Sequence, residues 1–220
     1  MGPEVIESQI PEENLQRAAS ELLEQIRITK GSRFNAHRRL LGKHIASQFA
    51  LAVLSIYTIA ASIATLVLPS AQYPNLLPAM SAGTIVASVF VLVQSLLESA
   101  KNYQLRSHLM FKCGEKLSML YNECRATINV GAFGEIAYLG FVESYGGILA
   151  DYSENHSETD YNLFVLSRSR HKPATEATVN RAVRRALLQL WSVVQIWGAS
   201  AVYISAPPLA VAAGTFWLKL

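Results

Sequence analysis

The sequence predicts an all-α membrane protein built on a transmembrane helical hairpin. Between Ile45 and Leu97 the chain contains no Lys, Arg, Asp or Glu, and this stretch is interrupted once, at the Pro- and Asn-containing turn 69–75. The two apolar segments, 45–68 and 76–97, are long enough to span, because a helix needs about 20 residues to cross a bilayer core of roughly 30 Å. Only 16% of the 220 residues are charged, against about 25% in typical soluble domains. The hairpin is therefore the organising element of the chain.

Residues 1–44 are predicted to form cytoplasmic helices that lead into the first span. A helix is expected to begin near Pro11, because proline suits the first turn of a helix. We expect this helix to pause near Gly31 and to resume as Arg33–Leu41. Its apolar residues recur at helical spacing: Leu15, Ala18, Ala19, Leu22, Leu23 and Ile26.

Basic residues flank the spans on one side only. Six lie within residues 27–44, before the first span, and three lie within residues 98–112, after the second, whereas the turn between the spans has none. By the positive-inside rule, both ends of the hairpin and the N-terminus face the cytoplasm. Basic residues beside a membrane more often meet anionic lipid head groups than nucleic acid, so the expected partner is the bilayer, without direct nucleic-acid binding. These residues are Arg27, Lys30, Arg33, Arg38, Arg39, Lys43, Lys101, Arg106 and Lys112.

Residues 98–186 are predicted to be a cytoplasmic helical region. The second span continues as an amphipathic helix over 97–121, and 129–140 is expected to be a loop with a short helix. Cys113 and Cys124 are expected to be buried apolar residues, because a disulfide is rare in the cytoplasm and their spacing makes no zinc motif. One side of the helix is formed by Tyr103, Met110, Cys113, Leu117, Leu120 and Tyr121.

A dense polar and aromatic group follows between Tyr145 and Phe164. His156 and Asp160 are four residues apart, with Glu154 nearby, which suggests a metal or acid–base site; a hydrogen-bonded structural group is the alternative that the pattern favours, because no HExxH or second ligand pair accompanies them. Nothing assembles a nucleophile and a base, so we expect no enzyme, no metal and no cofactor. The candidate signal-receiving residues are Tyr152, Glu154, Asn155, His156, Asp160 and Tyr161.

Residues 187–220 contain a third apolar segment. The stretch 187–206 is about 20 residues long, enough to span a membrane, and Pro207-Pro208 should end its helix. We predict a third transmembrane helix with a short tail. The alternative is a helix that lies against the hairpin or in the membrane interface.

Both spans of the hairpin carry a polar stripe. On a helical wheel, the small and polar residues of the second span occupy one arc of about 160° and its large apolar residues the opposite arc. Lipid gives no reason for such a division, so the stripe should meet protein or water. Either small residues pack closely between helices, or stripes from several chains line a water-filled path, which requires a homo-oligomer. The candidate pore-lining residues are Gln48, Ser55, Thr58, Ser62, Ser81, Thr84, Ser88, Gln94, Ser95 and Glu98.

Several short motifs follow one another between about residues 15 and 165. They are Arg27, Arg33-Phe34-Asn35-Ala36, Arg39-Leu40, Ser55-Ile56-Tyr57, Glu98, Tyr103, Arg106, and Tyr152-Ser-Glu-Asn-His156 with Asp160-Tyr161. Taken in order, they resemble the SLATT family of bacterial membrane effectors. The branch with a Glu-Asn-His…Asp-Tyr element, often found beside reverse-transcriptase genes, is the most similar.

The resemblance implies a two-span helical fold in the bacterial inner membrane and a pore-forming role in anti-phage or other conflict systems. It also implies a partner encoded nearby, such as a reverse transcriptase or a protein that makes a nucleotide messenger. The third apolar segment departs from the two-span pattern. A second hypothesis is a membrane-tethered scaffold or sensor that positions a soluble partner and conducts nothing.

Overall fold

The protein is described by a computed structural model, which covers residues 11–69, 74–152, 154, 157–168, 183–184, 186–198, 200–202 and 204–205. Within these residues there is no strand, and the all-α prediction is confirmed. The helices are α1 (Glu12–Val67), α2 (Leu76–Ala100), α3 (Tyr103–Asn129), α4 (Glu135–Asp151), α5 (Glu158–Arg168) and α6 (Ala186–Gly198).

Helix α1 is continuous over 56 residues. It begins directly after Pro11, whose carbonyl oxygen accepts hydrogen bonds from the backbone N–H groups of Asn14 and Leu15 at 2.9 and 3.1 Å. The predicted pause near Gly31 is wrong, because Gly31 lies within the helix and is buried. A Cβ atom there would lie 2.0 Å from the ring of Phe164 in α5. Because it has no Cβ, Gly31 permits the close approach of α5, although a glycine lowers the stability of the helix that contains it.

The chain divides into two compact units. The bundle unit comprises Met1–Arg38 and Ser107–Arg185, and the hairpin unit comprises Arg39–Arg106 and Ala186–Leu220.

The bundle unit has a core between α1 and α3, covered by α4. Its buried residues from α1 are Leu22 and Ile26. Both belong to the apolar positions that the helical spacing of α1 predicted, and the same holds for the buried residues that α3 contributes to this core. The α3 residues of this core are Cys113, Leu117 and Leu120, and the half-buried residues packed on it are Tyr121, Tyr138, Phe141, Tyr145, Ile148 and Tyr152. Cys113 and Cys124 are free and buried, as expected.

Two backbone features separate the helices after the second span. The predicted continuous helix over 97–121 is wrong, because α2 ends at Ala100 and Asn102 has a left-handed φ of 48°. Asparagine tolerates this conformation better than most residues. Helix α3 ends at Asn129 and is followed by Gly131, which has a φ of 71°. The backbone N–H groups of Gly131 and Ala132 donate to the carbonyls of Ile128 and Thr127, a pair of hydrogen bonds that terminates many helices.

The hairpin unit exposes its large apolar side chains. Leu66 is 85% exposed, Val67 75% and Val86 70%. A helix in the core of a soluble protein would bury such residues, and an exposed apolar surface of this length needs lipid or another chain to cover it. Both α1 and α2 contain an apolar window long enough to cross a membrane. The fold is that of a membrane protein with two candidate spanning helices.

Helix α6 packs on α1 inside the hairpin unit. The ring of Trp197 lies edge-on to that of Phe49, with centroids 6.5 Å apart, and Ile196 lies 3.2 Å from the position of a Cβ on Gly42. The residues 199, 203 and 206 of the predicted third span lie outside the described part, so its crossing of the membrane stays a prediction.

Candidate functional site

The polar arc of α2 divides into a covered part and an exposed part. Positions that the rest of the chain covers recur every three or four residues, which is the seven-residue repeat of a left-handed helix packing. Leu77 is buried, and the half-buried positions are Met80, Thr84, Ala87, Val91, Gln94 and Glu98; together they are called the covered positions. Ser81, Ser88 and Ser95 are exposed. The predicted pore-lining set of α2 therefore contains three residues in a packing seam and three on the outer surface.

The candidate residues of α1 divide in the same way. Ser55 and Thr58 are half-buried, whereas Gln48 and Ser62 are exposed. The structure thus does not gather all ten predicted residues on one open surface of a single chain.

Several hydroxyl groups of the hairpin donate hydrogen bonds within their own helices. Ser55 and Ser62 donate to backbone carbonyls four residues earlier at 2.9 Å, and Thr58 donates to the carbonyl of Ser55 at 2.8 Å. Thr84 and Ser88 donate to the carbonyls four residues earlier, each at 2.8 Å. Such bonds remove the cost of an unpaired donor in lipid. Each hydroxyl oxygen keeps acceptor capacity that a neighbouring chain or water can use.

Glu98 marks the end of the apolar part of α2. Its Oε1 accepts a hydrogen bond from Lys101 Nζ at 2.5 Å, and its side chain is only 13% exposed. Its Oε2 is buried and has no hydrogen-bond partner among the described residues. A half-satisfied carboxylate is costly where water is excluded, so this end of the span favours access for water or a further donor.

In the bundle unit, Asp160 pairs with Ser157, the residue that caps the N-terminus of α5. Its Oδ2 accepts hydrogen bonds from the backbone N–H of Ser157 at 3.1 Å and from Ser157 Oγ at 2.8 Å. The backbone N–H of Asp160 donates in return to Ser157 Oγ at 3.4 Å. This reciprocal arrangement is a capping box at the start of α5. Asp160 is fully buried, and its carbonyl accepts a hydrogen bond from Asn35 Nδ2 of α1 at 3.1 Å.

The other predicted receiving residues lie around the same connection. The carbonyl of Glu154 accepts a hydrogen bond from Arg33 Nη1. Tyr152 packs on the core under Lys116, whose Nζ lies 5.1 Å from the ring centroid. Tyr161 is 41% exposed. Asn155 and His156 lie outside the described residues. The described residues contain no group of three or more His, Cys, Asp or Glu side chains able to hold a metal.

Arg33 is the residue that sequence reasoning did not single out for this region. It was counted as one of the basic residues before the first span, yet it is only 4% exposed. Its Nη1 contacts Met110 Sδ at 3.3 Å and the carbonyl of Glu154. Its burial could have been predicted from its position, because it lies seven residues after Ile26 and seven before Leu40, two buried residues on the same face of α1.

Further polar contacts fix the helices of the bundle unit. Thr29 Oγ1 lies 2.8 Å from Tyr145 Oη, and Ser107 Oγ lies 2.8 Å from His37 Nδ1. Burial raises the pKa of the Cys124 thiol; burial also raises the pKa of the Cys113 thiol, against the smaller opposing effect of the Arg33 and Lys116 charges. Both thiols are therefore unreactive in the folded unit.

Comparison with known protein families places the chain in one of them. A family model described as "SMODS and SLOG-associating 2TM effector domain family 5" covers residues 15–213. No curated protein and no solved structure matches the chain. The two spanning helices fit this description, and the match extends beyond the motifs that suggested the resemblance, to include α6. The chain belongs to the SLATT family of two-transmembrane conflict-system effectors.

Proposed function

We propose that this effector assembles through its hairpin into an oligomer that permeabilises the bacterial inner membrane when a signal reaches the bundle unit. The observation that carries the proposal is the row of Ser81, Ser88 and Ser95 on the outer surface of α2. A helix that only anchors a protein gains nothing from hydroxyls facing lipid. In an oligomer these serines can meet another chain or water.

A single chain cannot enclose a path with two spanning helices, so the oligomer is part of the proposal. Exposed Gln48 and Ser62 on α1 supply further polar groups outside the intramolecular seam. Glu98, with its buried Oε2, would lie where the path opens at the cytoplasmic side. The sidedness rests on the basic residues that flank both spans.

The bundle unit would hold the effector silent until it is triggered. The capped connection before α5 joins α1 at Arg33 and Asn35, so a change there can be transmitted along a helix that continues into the first span. The family description associates such domains with SMODS and SLOG proteins. A partner that makes a nucleotide messenger fits this association, and a reverse transcriptase encoded nearby is the other source of the signal that the resemblance implies.

The test is leakage of a dye or ion from liposomes that contain the full-length protein and its partner. Replacing Ser88 and Ser95 with Leu removes hydroxyls from the exposed row and makes the helix more compatible with lipid, so insertion should be kept. The control replaces Val89 and Val93, which are 59% and 45% exposed, with Leu. Thr84 is a poorer choice, because it lies in the covered seam and a larger side chain there would overpack the hairpin.

The proposal requires leakage to fall to the level of empty liposomes in the serine variant and to persist in the valine variant, while cross-linking shows that both remain oligomers. If inserted and triggered wild-type protein leaks no more than empty liposomes, pore formation is rejected. The scaffold function then takes its place, which the internally satisfied hydroxyls would also permit.

A further inference from the structure

Arg33 is a buried cation without an anionic partner in the described part of the bundle unit. An arginine is always charged, and an unpaired buried charge is among the most costly groups in a protein. None of the ion pairs between described residues includes Arg33. Its two hydrogen-bond partners, Met110 Sδ and the Glu154 carbonyl, are both neutral.

The guanidinium also keeps unused donors. Arg33 Nε is buried and has no acceptor among the described residues. Nη1 donates to its two neutral partners, and within the described part Nη2 makes no hydrogen bond. The Nε and Nη2 groups form the edge of the guanidinium that binds carboxylates and phosphates through two parallel hydrogen bonds.

Arg33 lines a cavity of about 60 Å³. This volume is larger than the roughly 10–15 Å³ that one water molecule needs, and it suits a single small chemical group. The other lining residues are Leu109, Met110, Asp151, Tyr152 and Glu154. The carboxylate of Asp151 is paired with Lys116 Nζ at 3.1 Å and is 63% exposed, so it does not serve as the partner of Arg33.

We propose that this cavity binds a small oxyanion, a phosphate or carboxylate group, which accepts hydrogen bonds from Arg33 and neutralises it. The cavity is lined by Tyr152 and Glu154, which lie in the connection that leads to α5. An anion bound there would tie this connection to α1, since the Glu154 carbonyl already shares the guanidinium. This binding site does not depend on pore formation.

The experiment uses the full-length protein in detergent and measures the melting temperature of the bundle unit. The chain has two cysteines, both free, both buried and both in this unit, so a maleimide that fluoresces on reaction reports its unfolding specifically. Inorganic phosphate, glycerol phosphate and acetate are each titrated against chloride at equal ionic strength. A fourth measurement compares nanodiscs of phosphatidylcholine with nanodiscs that also contain phosphatidic acid, which separates a lipid phosphate from a free one.

The variants are Arg33→Met, Arg33→Lys and, as the matched control, Arg38→Met, because Arg38 is exposed on the same helix of the same unit. A bound anion should raise the melting temperature of the wild type and of Arg38→Met in proportion to the logarithm of its concentration. Arg33→Lys, which cannot form the two parallel bonds, should bind about tenfold to a hundredfold more weakly. Arg33→Met should show no response.

The result that overturns the proposal is a wild-type melting temperature that responds to none of the oxyanions or lipids beyond the effect of chloride. An equal response in Arg33→Met overturns it as well. If Arg33→Met does not fold, the wild type and Arg33→Lys still decide, since equal affinities in these two would reject the two-bond contact. Leakage from liposomes is not measured in this experiment, so failure here leaves the pore proposal standing on its own test.

Discussion

Replacing Gly31 with Ala tests how α5 is held on α1. The added Cβ would lie 2.0 Å from Cδ2 and Cε2 of Phe164, far inside van der Waals contact. Alanine in place of glycine inside a helix is worth about 1 kcal/mol of stability. Overpacking a contact of this kind costs about 1–3 kcal/mol. We therefore expect Gly31→Ala to lower the free energy of unfolding of the bundle unit by up to about 2 kcal/mol, the steric cost less the helical gain.

The same substitution should change sign when Phe164 is removed. In a Phe164→Ala background the clash is gone and only the gain in helix propensity is left, so Gly31→Ala should stabilise the unit by about 1 kcal/mol. The coupling between the two substitutions should then equal the steric cost of about 1–3 kcal/mol, which lies within the range of about 0.5–3 kcal/mol for residues in direct contact.

The assay is denaturant unfolding of the full-length protein in detergent, followed by labelling of Cys113 and Cys124. Both cysteines are buried in α3 and become accessible when the unit unfolds. The matched control is Gly42→Ala in the hairpin unit, which should leave this unfolding transition unchanged. If Gly31→Ala stabilises the unit equally with and without Phe164, the ring does not pack on Gly31 and this account of the glycine is wrong.

Three other predictions can be checked separately. Reporters active only outside the cytoplasm should be active after Gln72 and inactive after Asp160; activity at Asp160 would reject the hairpin topology, and inactivity at Leu220 would reject only the third span. Asp160→Asn and Asp160→Ala should weaken the cap of α5 by about 1 kcal/mol and change toxicity in cells without loss of membrane insertion; wild-type toxicity in both would make the capped connection mere packing. Burial raises the pKa of the Cys113 thiol above its ordinary value of 9.0, so the folded unit binds more protons than the unfolded chain above that pH. Its free energy of unfolding should decline as pH rises through this range, and Cys113→Ala should remove part of the decline in circular-dichroism melts.

The sequence was sufficient where a structural feature depends on neighbours along one helix. The charge-free stretch predicted both apolar spans, and the spacing of Leu22 and Ile26 predicted the core face of α1. These features follow from helix geometry alone, because side chains three or four residues apart share a face. The positions of Met110, Cys113 and Leu117 in α3 followed from the same spacing.

The sequence was insufficient to predict the role of a residue whose main contact lies far away along the chain. Gly31 was interpreted as a helix pause because glycine has low helix propensity, yet its neighbour is Phe164, 133 residues later. Arg33 was interpreted as a membrane-flanking charge; its place on the buried face of α1 was a local signal, but nothing local identifies the Glu154 carbonyl as its partner. The break at Asn102 depends on one backbone conformation, φ 48°, that asparagine permits without requiring.

The serines of α2 show why a helical wheel could not separate packing from exposure. Positions that follow a seven-residue repeat drift by about 20° per repeat on a straight helix. From Leu77 to Glu98 each position of the repeat therefore drifts by about 60°, so residues on the border of the seam fall among its members on the wheel. Ser81, Ser88 and Ser95 share the same seven-residue spacing. Each comes four residues after a seam residue and is therefore rotated from it by about 40° around the helix axis. A second helix that packs with the same left-handed curvature would keep contact with all three serines. The row is therefore continuous along one side of α2, as the proposal that another chain or water meets these serines requires, rather than scattered towards lipid.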